Sequence, residues 1–298
     1  MLVTGIDGNE TARRVKVGIL LNPQKPGGLK TMLALRDALQ KRGCECVLER
    51  KTAHMAGEEG GIRAKEFAEH VDIAAVLGGD GTMMHAVSRF GHFEKPVAGI
   101  NVGTLGFLTT CTDAELDEFA DAVAENRYTT STRMLLEATV HRSEGETETF
   151  YALNEVTLAR GETGRLVTLK ATVNGEWLNR YRADGLIVAT PTGSTAYSLS
   201  AGGPLIAPES SVVVITPICP HSLSQRSLVL SDDVEIEISP ERTDDGPMLF
   251  TVDGRDTTRI DPGDRVLVRK ADRSFHMLQL VGTSFYGALR QKLGWQSV

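Results

Sequence analysis

A single carboxylate, Asp80, lies within the glycine-rich pentapeptide Gly78-Gly79-Asp80-Gly81-Thr82. A mostly apolar run, residues 71–77, precedes this loop, and residues 82–90 have a helix-forming composition. A strand that passes through glycines into a helix presents backbone N–H groups to a phosphate, and glycine permits a close approach. A carboxylate beside a phosphate indicates a bridging Mg²⁺ or a hydroxyl whose proton it accepts. The alternative is an ordinary turn in which Asp80 caps the helix.

The longest unusual stretch, from Asp184 to Pro204, is rich in hydroxyl groups and glycine. A short strand, residues 186–189, is predicted to lead into a loop that can bind a ligand through side chains and freed backbone groups. The alternative is a solvated loop between two β-strands. The length of the stretch and the presence of Tyr197 favour the ligand-binding interpretation.

Other candidates are single polar residues. Asn154 and Glu155 are adjacent within an apolar segment. An amide suits a purine edge because it donates and accepts, and a carboxylate accepts hydrogen bonds from ribose hydroxyls. His85 falls one turn into the predicted helix, where it can face a phosphate or be a partly buried helix residue. Arg165 and Arg182 are isolated cations that suit phosphates or an ordinary surface.

The first 128 residues must position the glycine-rich loop, and they alternate between predicted strands and helices. Strands are predicted at residues 15–22, 44–48, 71–77 and 96–100, and helices at residues 29–42, 63–69 and 82–90. This alternation indicates a parallel sheet covered by helices. Ligands bind such sheets at the carboxyl ends of the strands, where Gly78–Thr82 would lie. A helix that follows the capping-box pattern Thr112–Glu115 is predicted to close this domain.

Beyond about residue 130 the apolar residues alternate with polar ones, as at Leu136, Ala138 and Val140. Asn174-Gly175 is a hairpin signal within this region. The pattern predicts an all-β second domain, a sandwich. We therefore expect an α/β domain over residues 1–128, a β-sandwich over residues 129–282 and a tail helix over residues 283–298.

Composition and charge exclude several classes of function. The formal net charge of −7 argues against bulk nucleic-acid binding, so a polyanionic substrate must be met by local cations or Mg²⁺. No apolar run approaches the roughly 20 residues of a membrane span, and the N-terminus lacks the pattern of a signal peptide. The four cysteines form no Cys-x-x-Cys pair. A cytoplasmic protein with reduced thiols and no membrane or nucleic-acid partner is expected.

The order of these segments resembles the NAD kinase family. Gly78–Thr82, Asn101–Leu108, Asn154-Glu155 and Asp184–Pro204 occur in the family's order, and the last of them is the most specific. The glycine-rich loop alone is shared with diacylglycerol-type lipid kinases and, in related form, with phosphofructokinases. The resemblance implies an α/β domain, a C-terminal β-sandwich and a tail that returns to the first domain. It also implies phosphorylation of the 2′-hydroxyl of the adenosine ribose of NAD by ATP.

The resemblance further implies roles for residues of the glycine-rich loop. Asp80 would accept the proton of the 2′-hydroxyl, with Gly81 bound beside it. Gly78, Gly79 and Thr82 would complete the phosphate loop. The sequence shows no carboxylate cluster for a metal, so a divalent cation, Mg²⁺, is expected to be held mainly by the nucleotide phosphates.

The resemblance also implies a set of NAD-binding positions. Asn154 and Glu155 would bind the adenosine portion, and Asp184, with Arg182 just before it, the nicotinamide end. The remaining positions that it implies are His85, Arg165, Thr195, Ala196, Tyr197, Ser198, Leu199, Ser200 and Arg255.

The expected substrates are NAD and ATP, and the family's dimers and tetramers imply a homodimer or homotetramer. Two alternatives remain open. A kinase acting on a lipid or a sugar phosphate would share the loop, but the sequence has no amphipathic basic stretch for a membrane surface. A non-catalytic dinucleotide sensor would share the binding residues but would not need Asp80. Preference for NAD or NADH, and for ATP or polyphosphate as donor, is open.

Overall fold

The computed structural model describes residues 13–103, 106–161, 164–241 and 248–295. Its strands are β1 (Lys16–Leu21), β2 (Glu45–Leu48), β3 (Ile73–Leu77), β4 (Val97–Asn101), β5 (Cys111–Thr112), β6 (Tyr128–His141), β7 (Thr147–Ala152), β8 (Glu155–Arg160), β9 (Val167–Val173), β10 (Glu176–Ala183), β11 (Gly185–Ala189), β12 (Val212–Ile218), β13 (Leu228–Ser231), β14 (Ile236–Pro240), β15 (Met248–Val252), β16 (Asp256–Ile260) and β17 (Arg265–Leu280). Its α-helices are α1 (Gly28–Lys41), α2 (Arg50–Met55), α3 (Phe67–His70), α4 (Asp80–Phe90), α5 (Leu116–Ala124), α6 (Tyr197–Ser200) and α7 (Phe285–Lys292). Residues 104 and 105 of the Asn101–Leu108 segment, and residues 296–298 of the predicted tail, lie outside the described residues.

The N-terminal half is built on four parallel strands in the order β2-β1-β3-β4. Every residue of β3 and β4 is buried, as expected for strands that are covered on both faces. Helix α1 places its apolar stripe, including Met32, Leu35 and Leu39, against this sheet. The predicted parallel sheet is confirmed, and its strands β1, β3 and β4 deliver the chain to one common edge.

The C-terminal half is a sandwich of two mainly antiparallel sheets. Residues Leu136 and Val140 of the larger sheet share a buried core with Val156 and Phe250 of the six-stranded sheet. The predicted fold class, an α/β domain followed by an all-β sandwich, is therefore confirmed. The Asn174-Gly175 hairpin joins β9 to β10, and both residues have positive φ values of 51° and 79°, as a type I′ turn requires.

One long strand, β17, joins the two halves into a single 11-stranded sheet. Its first part pairs with β14 in the sandwich, and near its end Met277 pairs in parallel with Val97 of β4. Leu278 and Leu280 then pack in the core of the α/β half. Strand β17 contributes to the cores of both halves. The domain boundaries that we expect at residues 128 and 282 therefore remain a prediction.

Two local elements differ from the sequence-based expectation. Helix α2 was not predicted, and it forms because the buried carboxylate of Glu49 accepts hydrogen bonds from the N–H groups of Lys51 and Thr52. The hydroxyl-rich stretch was predicted as a loop, but residues 192–200 form a short 3₁₀ turn and α6. Hydroxyls there donate to backbone carbonyls three residues earlier, as Ser194 does to Pro191, so they are satisfied within the turn itself.

The C-terminal segment ends in α7, which is capped by the Ser284 hydroxyl and buries Leu289. The helix lines a cavity together with Gly106, Phe107, Thr109 and Thr110 of the α/β half. Within the described ranges, no helix has the length and apolarity needed to cross a membrane.

Candidate active site

The glycine-rich loop leaves β3 at the common edge of the parallel strands and enters α4 at Asp80. Gly78 has a φ of +155°, and a Cβ there would lie 2.2 Å from the Thr82 hydroxyl, so the loop requires glycine at this position. The Thr82 hydroxyl in turn accepts a hydrogen bond of 3.0 Å from the side-chain amide of Asn22, which follows β1. This hydrogen bond therefore holds the glycine-rich loop against the end of β1.

The carboxylate of Asp80 is oriented by a second segment at the same edge. Its Oδ2 accepts a hydrogen bond from the N–H of Phe107 and its Oδ1 one from the N–H of Leu108, both at 3.0 Å. A Cβ on Gly106 would lie 2.0 Å from Oδ1, so this close approach needs glycine. Gly79, not Asp80, is the N-cap residue of α4. The interpretation of Asp80 as a helix cap is thus wrong, because its side chain bonds to residues 27 and 28 positions away.

Basic side chains collect in a cavity of about 230 Å³ beside the loop. It is lined by His85 and Arg255, which the sequence had singled out, and by Lys51 and Arg89, which it had not; none of its described lining residues is acidic. The side chain of Arg255 reaches across from the sandwich, and its Nη2 donates to the carbonyl of Gly81 at 2.6 Å. The cavity has the charge expected of a polyphosphate site.

The position of Arg89 near the site could have been predicted from its spacing in the sequence. It lies four residues after His85, so the two side chains share one face of α4. Its guanidinium is anchored at 2.5 Å from Oε1 of the buried Glu49. Lys51 carries no comparable local signal, since only the unpredicted helix α2 brings it to the cavity.

Asn154 and Glu155 stand at the beginning of β8, held by a carboxylate that sequence analysis did not assign to the site. Asp253 has a positive φ of 49°, and its Oδ1 accepts hydrogen bonds from the N–H groups of Asn154 and Glu155 at 2.8 and 3.1 Å. Its Oδ2 accepts another from the N–H of Leu153 at 2.9 Å. Asn154 also contacts α4, because its Nδ2 lies 2.9 Å from the Met84 sulfur. Asn154 thus contacts α4 one helical turn after Asp80.

Three buried side-chain oxygens near this point have no hydrogen-bond partner among the described residues. They are Oδ1 of Asn154, Oε2 of Glu155 and Oγ1 of Thr192. Each of the three side chains is at most 6% exposed. Buried polar atoms are nearly always paired, so a cluster of unpaired ones indicates a place where a polar ligand binds. Thr192 was not singled out from the sequence, although it lies within the hydroxyl-rich stretch.

The carboxyl group of Glu155 has a raised pKa of about 8, caused first by burial and then by the negative charge of Asp253. The folded state therefore binds a proton that the unfolded state releases near its ordinary pKa. By linkage, this group's contribution to the free energy of unfolding is fully present below about pH 4.5 and is lost as the pH rises to 8.

We expect the free energy of unfolding of the wild type, without ligand, to fall between pH 5 and 8 by more than that of Glu155→Gln, which keeps the shape but cannot ionise. The excess slope is at most about 1.4 kcal/mol per pH unit. Urea unfolding at four pH values measures it. Parallel pH profiles for the two proteins would contradict a protonated Glu155.

The remaining residues of the hydroxyl-rich stretch divide by burial. Ser198 is fully buried, and its hydroxyl bonds to that of Thr216 in β12 at 2.9 Å, so its side chain fastens α6 to the sheet. The other predicted positions there are partly or fully exposed, and they are Thr195, Ala196, Tyr197, Leu199 and Ser200.

Three predicted residues lie away from this cluster. Asp184 precedes β11 and pairs with Arg160 at 2.7 Å, whereas Ala189, at the other end of the strand, pairs with Glu155. Ala189 is five residues after Asp184 along the extended chain, which separates the two ends by roughly 17 Å. Arg182, which is exposed, lies on the Asp184 side, and the exposed Arg165 lies in the connection from β8 to β9. Their roles stay predictions.

Both halves of the chain match one known protein family. The family model of the ATP-NAD kinase N-terminal domain matches residues 17–128, and that of the C-terminal domain matches residues 153–280. An NAD kinase from Chlorobium luteolum is 41% identical over 281 residues, which cover 94% of this chain and 97% of the relative. An NAD kinase from Caldanaerobacter subterraneus subsp. tengcongensis is 38% identical over 281 residues, with coverages of 93% and 98%.

Solved structures show the same fold. A yeast NADH kinase complexed with NADH superposes with a TM-score of 0.86 at 28% identity, covering 96% of this chain and 89% of that one. An NAD kinase from Archaeoglobus fulgidus has a TM-score of 0.71 at 21% identity, with coverages of 94% and 98%, and so supports the fold alone. The resemblance drawn from the motifs is confirmed over both domains, and the chain belongs to the NAD kinase family of enzymes.

Proposed function

We propose that this protein transfers a phosphoryl group from ATP to the 2′-hydroxyl of the adenosine ribose of NAD, with Asp80 as general base. The observation that carries the proposal is the set of unpaired buried oxygens on Asn154, Glu155 and Thr192, together with the contact of Asn154 with Met84, one helical turn after Asp80. A purine amine and ribose hydroxyls would supply the missing partners. The name NAD kinase, which the relatives bear, supports the same substrate.

The protonated form of Glu155 adds a donor to this cluster. At neutral pH a carboxyl group with a pKa of about 8 is mostly uncharged, so it can both donate to and accept from a nucleoside. Asn154, fixed through its backbone by Asp253, presents its amide oxygen beside it. Together the two residues suit the adenosine portion of a dinucleotide.

The side chains of the basic cavity would neutralise the negative charge of the phosphates. Phosphoryl transfer proceeds through a loose transition state, so positioning and electrostatic stabilisation supply most of the catalysis. We assign the donor phosphates to the cavity of Lys51, His85, Arg89 and Arg255, next to the N-terminus of α4. Asp80 then orients the attacking hydroxyl and accepts its proton late in the reaction.

A divalent cation, Mg²⁺, fits this site only when it is bound together with the nucleotide. Among the described residues no three His, Cys, Asp or Glu side chains are grouped to hold a metal. Asp80, the carboxylate of the loop, already accepts a hydrogen bond on each oxygen. We therefore propose that the phosphates provide most of its ligands; when bound, it neutralises charge on the phosphoryl oxygens.

A coupled assay tests the reaction. Purified protein is mixed with NAD, ATP and Mg²⁺, and NADP is followed with an NADP-specific dehydrogenase; parallel reactions replace ATP with polyphosphate and NAD with NADH. We expect NADP from NAD and ATP. A well-folded protein that makes no product with any pair, but binds NAD by calorimetry, would be a sensor. One that also fails to bind NAD would act on another acceptor.

We also propose that the protein is a cytoplasmic homodimer or homotetramer that contacts neither membrane nor nucleic acid. Strand β10 lies at the end of the larger sheet, and its Trp177 is 53% exposed. An edge strand with an exposed large apolar residue is a natural pairing surface. Sedimentation equilibrium of the wild type gives the oligomer size.

A further inference from the structure

A cavity of about 320 Å³ lies between α7 and the segment that holds Asp80. Its walls are the end of β17, Arg133 of β6, the first turns of α7 and four residues of the α/β half: Gly106, Phe107, Thr109 and Thr110. It is distinct from the basic cavity, with which it shares none of its described lining residues. The reaction described above uses none of its side chains.

Arg133 is a buried cation with few partners. It is 3% exposed, and its Nε has no hydrogen-bond partner among the described residues. Its Nη2 lies 4.0 Å from Oε1 of Glu209, which is too long for a hydrogen bond, and that oxygen already accepts one from the Ser131 hydroxyl at 2.9 Å. Burial lowers the pKa of Arg133, which reflects the cost of holding this charge away from water. A buried guanidinium group without hydrogen-bond partners is energetically costly, and an anionic acceptor bound beside it would lower that cost.

The rest of the cavity wall has the same electrostatic character. Arg290 of α7 lines it, and none of its described lining residues is acidic. The N-terminal end of α7 also lines the cavity, at Ser284 and Phe285. The Ser284 hydroxyl accepts from the N–H of Gly287 at 3.1 Å, and the positive end of the helix dipole lies at this wall. A buried arginine, a second arginine and a helix N-terminus thus converge on one space.

We propose that this cavity binds a multiply charged oxyanion, a phosphate or a carboxylate, between Arg133 and Arg290. The guanidinium group of Arg133 offers planar, paired donors that match either oxyanion. The site would communicate with Asp80, because Gly106 and Phe107 form part of its wall and the N–H of Phe107 holds the Asp80 carboxylate. An anion bound there therefore stiffens the segment that orients the base.

Calorimetric titration with inorganic phosphate, at constant ionic strength set with chloride, tests the site. The basic cavity can also bind phosphate, so the titration is made in an Arg89→Gln background. We expect binding to persist in Arg89→Gln and to weaken about tenfold or more when Arg133→Met is added. Arg290→Gln, an exposed change on α7 that should not affect folding, is expected to weaken it severalfold. A parallel titration with succinate separates phosphate from carboxylate ligands.

Hydrogen exchange places the bound anion. We expect phosphate to slow exchange at residues 106–108 and 284–287, and Arg290→Gln to reduce this protection at the same phosphate concentration. Protection confined to residues 22–24 and 79–85, or no binding by either anion, would overturn the proposal.

Urea unfolding separates a ligand role of Arg133 from a structural one. With no phosphate present, Arg133→Met should be as stable as the wild type, because it removes a buried charge that lacks hydrogen bonds. An equal loss of stability in Arg133→Met and Glu209→Gln, with and without phosphate, would show instead that the ion pair is structural.

Discussion

Replacing Asp80 with Asn is expected to lower kcat by about 10²- to 10⁴-fold, the range supplied by general-base catalysis. The amide has nearly the same shape but cannot accept the proton of the attacking hydroxyl. Binding of NAD should change little, because Asn154, Glu155 and Thr192 are untouched. The coupled NADP assay gives kcat, and calorimetry gives the Kd for NAD.

Asp80→Asn is also expected to lower the free energy of unfolding slightly. The Asp80 carboxylate accepts one N–H on each oxygen, and an amide keeps one acceptor, so one of these bonds is lost at about 1 kcal/mol. Urea unfolding checks that the protein remains folded. Asp113→Asn, an equivalent change at an exposed position, is the matched control. A fall in kcat of less than threefold in a folded Asp80→Asn would exclude Asp80 as the base.

Replacing Asp253 with Ala is expected to lower the free energy of unfolding by about 3 kcal/mol or more. The N–H groups of Leu153, Asn154 and Glu155 lose their acceptor together, and each buried donor left unpaired costs about 1–3 kcal/mol. Alanine is also disfavoured at the positive φ of residue 253. Urea unfolding measures the loss, and calorimetry should show weaker NAD binding, because the same bonds position Asn154 and Glu155.

Asp253→Asn separates the two contributions, since asparagine tolerates positive φ and retains one acceptor oxygen. We expect it to be intermediate in stability. It also removes the negative charge that raises the pKa of Glu155, so the dependence of stability on pH between 5 and 8 should become shallower than in the wild type. If both variants matched the wild type in stability, Asp253 would not hold the strand ends together.

Much of the site could be predicted because its signals are local. The backbone requirement at Gly78, the helix that begins at Asp80 and the type I′ turn at Asn174-Gly175 each depend on a few consecutive residues. Alternation of polarity likewise predicted the sandwich, because the side-chain period of a strand is set by its own backbone. The parallel sheet was predicted from the alternation of strands with helices along the chain. Asn154-Glu155 was found by its position among the other motifs.

What the sequence determined by itself was therefore the fold class, the glycine-rich loop and the residue types of the candidate site. Only the tertiary structure decided their partners: Phe107 and Leu108 on Asp80, Glu49 behind Arg89, and Asp253 on a strand end 99 residues away. These contacts arise from strand register and from the packing of one segment on another. Neither is encoded in a local period or turn, because a contact across many residues depends on how the whole sheet, joined through β17, is assembled.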